Sequence, residues 1–134
     1  MKYIYILASA AAKNPKSEQP LWDALRAAGL QVRDIHDFPH VTRHDVAIAD
    51  PAVARLAKKR LVDPEKESRV ICLAHSAEVL AERMRGLPGA YAEKAVRDAH
   101  LLRELDADYC VPADDLDAAA RQILRIIRDL EAGS

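Results

Sequence analysis

The segment from Ser9 to Ser17 carries side chains that suit phosphate binding: Ser9, Lys13, Lys16 and Ser17. A phosphate-binding loop needs glycines that let backbone N–H groups curl around the phosphate, a lysine for its charge and a hydroxyl for magnesium. Lys16-Ser17 stand at the right end, but Ala10 and Pro15 occupy the places of the two glycines, and proline has no N–H. The segment therefore predicts either a divergent phosphate loop or an ordinary polar loop with solvated lysines.

Three histidines follow one another at intervals of four residues: His36, His40 and His44. On one helix they would align as metal ligands, but Pro39 removes a helical hydrogen bond. No clear carboxylate or cysteine stands at metal-site spacing beside them. We therefore predict no metal site, and we interpret His36 as a polar residue of a ligand-binding or surface loop.

A second anion-binding candidate is His75-Ser76, which lies between an apolar run and a helical pattern. A helix N-terminus at this point could hold an anion; the alternative is a capping serine beside an exposed histidine. Arginines follow on the next two helical patterns: Arg83, Arg85 and Arg97. Guanidinium groups suit bidentate contact with phosphate, but solvated helix charges explain them equally well.

Glu93 opens the helical pattern after Gly89. A carboxylate facing a cleft could act as a catalytic acid, base or nucleophile, and His75 is a second candidate for proton transfer. The alternative for Glu93 is electrostatic, since an acidic residue in a first turn complements the helix dipole.

The elements that must position these residues follow from the apolar pattern. Runs typical of strands are Tyr3–Ala8, Leu30–Ile35, Val70–Ala74 and Tyr109–Val111. Apolar residues at helical spacing lie between these runs and after the last one, and Ser76 and Asp114 or Asp115 are N-cap candidates. His36 to Asp50 has no period and is predicted to be a long loop.

Strands that alternate with helices predict a three-layer α/β/α sandwich, Rossmann-like, with a mainly parallel sheet of four to five strands. With 134 residues we expect a single domain over 1–134. Ligands of such sheets lie beyond the carboxyl ends of the strands. We therefore expect Lys16, His36, His75 and Glu93 to gather there around a common anionic ligand.

Composition excludes several classes of function. The net charge is −1, with 31% charged residues. The chain therefore lacks the excess of positive charge that binding to nucleic acid or to an anionic membrane surface requires. No apolar run reaches the length of a membrane span, and the first ten residues fit a buried strand better than a signal peptide. Cys72 and Cys110 lie in apolar runs and are predicted to be buried reduced thiols, with a disulfide or a metal-binding pair as the alternative. Reduced thiols favour a cytoplasmic protein. The sequence is also compatible with a homo-oligomer of this chain.

The second half resembles the P-loop nucleotide kinases, guanylate kinase-like ones in particular. Val70–Leu73 followed by Ser76-x-Glu78-x-Leu80-x-x-Arg83 is similar to that family's strand and helix, and Arg83, Arg85 and Arg97 to its lid arginines. Residues 108–119 are similar to its last strand and closing helix. The resemblance implies nucleotide binding with Mg²⁺ and phosphoryl transfer, by a divergent or lapsed kinase because both loop glycines are missing.

Two further resemblances point to other chemistry. Tyr3–Ser9 and the Gly89-to-Glu93 spacing are similar to nucleoside deoxyribosyltransferase-like and TIR-type proteins, which implies cleavage of an N-glycosidic bond at Glu93. Asp50-Pro51 and Leu87-Pro88-Gly89 resemble B-type ribose-5-phosphate isomerases, whose nucleophilic cysteine is absent here. We expect a nucleotide or sugar phosphate as the partner of this chain; an N-glycosidic-bond enzyme and a non-catalytic interaction domain are the alternatives.

Overall fold

The computed structural model describes residues 3–11, 15–34, 46–54 and 67–133, with the side chains of residues 15–17 left out. Within these ranges the elements with defined bounds are β1 (Tyr3–Ser9), α1 (Pro15–Ala27), β2 (Val32–Asp34), β3 (Val46–Ala49), β4 (Glu67–Ala74), α2 (Ala77–Arg83), α3 (Gly89–Glu104), β5 (Tyr109–Pro112) and α4 (Leu116–Ala132). A further helical segment begins at residue 51.

The five strands form one sheet in the order β2-β3-β1-β4-β5. Every pairing is parallel, which confirms the predicted α/β class. β1 is the central strand, and the side chains of Tyr5 and Leu7 are fully buried in it. Because the strands are parallel, their carboxyl ends lie at one edge of the sheet, where β1 is flanked by β3 and β4.

Helices cover both faces of the sheet. On one face, Leu21 and Leu25 of α1 and Ile123 of α4 share a core with Leu7 and Ile71. On the other face, Ala95 and Leu102 of α3 pack in a core with Ile4, Ile6 and Val70. The two faces of β1 therefore contribute to separate cores, which explains its continuous run of apolar residues.

Three of the predicted boundaries differ from the structure by three residues or more. The predicted loop from His36 to Asp50 contains β3, whose four residues are all buried; so short a strand has no detectable period. α1 begins at Pro15, inside the segment that the sequence predicts to be a loop, because proline is well suited to the first turn of a helix. β4 begins at Glu67, ahead of the predicted Val70, because polar residues at a strand's start can pair while their side chains reach solvent.

The caps of two helices agree with the sequence. The Ser76 side chain accepts a hydrogen bond from the Val79 N–H at the start of α2. Asp115 caps α4 and accepts from Asp117 and Ala118, whereas Asp114 accepts from the Ser76 N–H over 2.8 Å.

The prediction that both cysteines are buried is half wrong. Cys72 is buried but Cys110 is exposed, because β5 is an edge strand of the sheet.

The described helices include none with the length and apolar composition of a membrane span. Among the described residues, no group of three acidic, histidine or cysteine side chains could hold a metal ion.

Candidate functional site

Three side chains from different elements meet at the carboxyl ends of β1 and β4. Ser9 is the last residue of β1, Glu18 lies in the first turn of α1, and His75 follows β4 directly. The Oε1 atom of Glu18 accepts a hydrogen bond from Ser9 Oγ over 2.8 Å and lies 2.7 Å from His75 Nε2. The parallel pairing of β1 with β4 places Ser9 opposite Leu73, which brings the two strand ends into contact.

Arg83 of α2 determines the tautomer of His75. Its guanidinium, which can only donate, lies 2.9 Å from His75 Nδ1. Nδ1 must therefore be the acceptor, so the ring is neutral and its proton is assigned to Nε2, which donates to Glu18. The other terminal nitrogen of Arg83 donates to the carbonyl oxygens of Ala113 and Asp114, over 3.0 and 3.2 Å. Arg83 thus ties this site to the loop after β5.

We name Ser9, Glu18, His75 and Arg83 the Glu18 cluster. The Glu18 side chain is fully buried, that of His75 is 1% exposed and that of Arg83 is 13% exposed. Glu18 Oε2 is buried and has no hydrogen-bond partner among the described residues. Because a buried carboxylate oxygen without a donor is costly, this atom is a place where a ligand's hydrogen-bond donor would be stabilising.

A second polar cluster lies at the same edge of the sheet. Asp50 follows β3 and is 5% exposed, and Asp98 of α3 is 4% exposed. The Nζ atom of Lys94 lies 3.4 Å from an oxygen of Asp50 and 2.7 Å from one of Asp98. Because β3 pairs with β1, Asp50 lies one strand away from Ser9.

The structure brings together three of the residues that the sequence singled out: Ser9, His75 and Arg83. Ser76 lies beside them as the N-cap of α2. Three other candidates, Arg85, Glu93 and Arg97, are exposed on α3 or beyond the end of α2, and Arg85 forms a surface ion pair with Glu82 at 2.8 Å. Lys13 and His36 lie outside the described residues, as do the side chains of Lys16 and Ser17.

Sequence reasoning did not propose Glu18 or Asp50 as site residues, although each had a signal. Glu18 precedes Leu21 and Leu25 by three and seven residues, which places it on the apolar face of α1. A carboxylate on a buried face needs partners, and that alone marks it as unusual. Asp50 comes directly after four buried residues and before Pro51, at the carboxyl end of a strand.

No known family model and no curated protein sequence matches the chain. Solved structures do match. Shikimate kinase from Bacteroides thetaiotaomicron aligns with a TM-score of 0.56 and 11% identity, covering 95% of this chain and 98% of that one. Shikimate kinase from Acinetobacter baumannii, in complex with shikimate, aligns with a TM-score of 0.59 and 15% identity, covering 96% and 94%.

An uncharacterised protein from Eubacterium ventriosum aligns with a TM-score of 0.58 and 9% identity, covering 96% of this chain and 99% of that one. At such low identity these likenesses concern the fold alone. The chain shares the α/β fold of these shikimate kinases, which agrees with the kinase-like fold that the resemblance of the second half implied but does not point to guanylate kinases in particular.

Proposed function

We propose that this chain binds a nucleotide or a sugar phosphate at the Glu18 cluster. The observation that carries the proposal is the buried Glu18 Oε2 atom, which has no hydrogen-bond partner among the described residues. It lies at the edge of the sheet where α/β folds bind their ligands. The fold, shared with kinases that include one bound to the small molecule shikimate, supports a small-molecule ligand.

The chemistry of Glu18 favours a sugar ring over a bare phosphate. A carboxylate accepts hydrogen bonds and repels anions, whereas a sugar hydroxyl donates one. Among the described arginines and lysines, Arg83 has a nitrogen 3.8 Å from Glu18 Oε1 and only partly offsets the charge. We therefore place the hydroxyl of a ribose or another sugar at Glu18, and the phosphate at the start of α1, where the helix dipole favours anions.

The phosphate contacts belong to the sequence-predicted residues of the first loop. These residues are Lys13, which precedes α1 in the sequence, and Lys16 and Ser17, which belong to its first turn. The lysine charges and the serine hydroxyl suit a phosphate. Ala10 and Pro15 in place of glycines argue against the tight backbone cradle that ATP-driven transfer needs. We therefore propose that the chain is a lapsed kinase, one that binds the phosphorylated ligand but does not transfer a phosphoryl group.

The described carboxylates at this edge do not fit a magnesium site of their own. Asp50 contacts Lys94, and Glu18 contacts His75 and Arg83, so cationic or hydrogen-bond-donating groups take the place of a metal ion. Magnesium would come with the nucleotide phosphates, and we derive no step through it.

A thermal-shift panel tests the proposal. The panel contains ribose 5-phosphate, AMP, ATP with and without Mg²⁺, and inorganic phosphate. A ligand at 100 times its Kd adds about 2.7 kcal/mol, which raises Tm by several degrees in a domain of this size. We expect a shift with at least one sugar-bearing ligand and a smaller one with phosphate alone. Lys16→Ala should abolish the shift, and Glu18→Gln should reduce it.

Each shift is measured against the variant's own ligand-free Tm, so that a loss of stability is not mistaken for a loss of binding. Asp23→Asn is the matched control, because Asp23 is an acidic residue of α1 whose side chain is 64% exposed. The proposal fails if no sugar-bearing ligand shifts the wild-type protein, or if Glu18→Gln and Asp23→Asn respond equally.

A further inference from the structure

A cleft runs between α2 and α3 on the face of the sheet opposite α1 and α4. Its volume is about 270 Å³. A smaller cavity of about 140 Å³ adjoins it and shares four of its lining residues: His75, Leu80, Ala99 and Arg103. Together the two reach the volume range of about 300–1,000 Å³ that is typical of small-molecule sites. We name them the α2–α3 cleft.

Small side chains create this space. Five alanines from the two helices line the larger cavity: Ala77, Ala81, Ala92, Ala95 and Ala99. The residues from α3 recur at intervals of three and four, which places them on one face of the helix, turned toward α2. Leu80 and Met84 complete an apolar wall. An apolar group bound in the cleft would gain dispersion contacts with this lining, so it would be stabilised there.

The polar residues of the cleft are basic or neutral. Arg103 and His100 line it along with His75, and no carboxylate is found among the described lining residues of either cavity. Within the described part of the chain, Arg103 forms no ion pair or hydrogen bond. An arginine without an acidic partner beside an apolar cleft complements a ligand that combines an apolar body with an anionic head.

We propose that the α2–α3 cleft is a second binding site, for a small amphipathic anion such as a medium-chain carboxylate. The apolar body lies against the alanine face of α3, and the anionic head contacts Arg103. The proposal does not rest on the nucleotide or sugar phosphate assigned to the Glu18 cluster. The two sites share His75 as a wall, but the Glu18 carboxylate lies outside the cleft lining.

Octanoate, its neutral counterpart 1-octanol and inorganic phosphate are the probes. The protein is labelled with ¹³C in its alanine methyl groups and each probe is titrated by NMR. We expect octanoate to shift the methyl signals of the five cleft alanines and to leave those of Ala119 and Ala120, on the opposite face, unchanged. Octanol should shift the same signals with lower affinity, and phosphate alone should shift none.

Two variants separate the roles of charge and space. Arg103→Gln should weaken octanoate binding about tenfold or more, the loss expected for one charge-assisted hydrogen bond, and should leave octanol binding unchanged. Ala92→Leu, at an exposed lining position with little risk to folding, should weaken both. Arg121→Gln, an exposed arginine of α4 on the other face, is the matched control and should bind both probes as the wild type does.

The proposal is overturned if octanoate leaves the cleft methyls unchanged or shifts alanines on both faces equally. It is also overturned if Arg103→Gln binds octanoate as tightly as Arg121→Gln does, because the anionic head would then have no partner.

Discussion

The carboxylate of Glu18 and the imidazole of His75 meet 2.7 Å apart, although α1 and the end of β4 are distant in the chain. Both side chains are almost completely withdrawn from solvent. One carboxylate oxygen receives the contacts from Ser9 and His75, while the other has no described hydrogen-bond partner. The contact therefore connects α1 to the sheet and leaves the second carboxylate oxygen as the acceptor that we propose for a ligand.

Removal of the Glu18 carboxylate should destabilise the fold. Glu18→Ala removes the acceptor that the Ser9 hydroxyl and the His75 N–H share, so that only their mutual contact of 3.4 Å remains. It also leaves Arg83 with less compensating charge. We expect a loss of about 2–4 kcal/mol in the free energy of unfolding, measured by urea denaturation. Glu18→Gln keeps an acceptor oxygen and should lose less. Exposed Glu78 is the control, and Glu78→Gln should change stability by less than about 0.5 kcal/mol. Equal losses for Glu18→Ala and Glu78→Gln would contradict the buried network.

The contact between Asp114 and the Ser76 backbone should make stability depend on acid pH. Hydrogen bonding from the Ser76 N–H holds the pKa of Asp114 below its usual value of 3.8. A lowered pKa in the folded state stabilises the fold above the unfolded value, and this contribution is lost as the pH falls through the lowered pKa. Asp114→Asn lacks that titration.

The Tm of the wild type minus that of Asp114→Asn should therefore shrink as the pH is lowered from 6 to below about 3.8. Scanning calorimetry at several pH values measures this difference. A difference that stays constant over the whole interval would show that the Asp114 charge does not contribute.

The two cysteines should differ in reactivity. Burial, followed by the neighbouring Cys110 thiol, raises the pKa of Cys72 to about 12, whereas Cys110 is exposed. Since the thiolate is the nucleophile, iodoacetamide at pH 8 should modify Cys110 in the folded protein and Cys72 only after unfolding in urea. Mass spectrometry of the tryptic peptides identifies the modified site. Equal rates of modification in the folded protein would refute this assignment.

The Tyr5 hydroxyl should lose its proton at a much higher pH than the hydroxyl of an exposed tyrosine. Its hydroxyl donates to Glu131 Oε1 over 3.2 Å, and burial, with the nearby Glu131 charge, raises its pKa above the usual 10.0. A raised pKa stabilises the fold fully below the unfolded value, and this contribution is lost as the pH rises from 10.0 toward the raised pKa.

Tyr5→Phe should cost about 0.5–1.5 kcal/mol at pH 7, the usual worth of one hydrogen bond, and less at pH 11. Urea denaturation at both pH values checks this, with exposed Tyr91 as the control site for Tyr91→Phe. A cost that grows between pH 7 and pH 11 would contradict the sign of the pKa shift.

Local patterns in the sequence were sufficient for the class of fold. Continuous apolar runs at Tyr3–Ala8 and Val70–Ala74 predicted strands covered on both faces, and the N-cap at Ser76 was predicted from its residue type and position. These features depend on residues that are neighbours in the chain, so they can be predicted from the sequence alone. β3 was missed because four buried residues are too few to show a period.

The candidate site was decided by tertiary structure. Ser9, His75 and Arg83 were recognisable as polar residues near strand ends, but their partner Glu18 was not, because its role depends on which face of α1 packs against the sheet. The same holds for the α2–α3 cleft, which exists because alanines of two helices face each other. Sequence determines the elements through local forces, whereas the contacts between them arise from packing across the chain, and that packing alone brings a carboxylate, an imidazole and a guanidinium into one buried cluster.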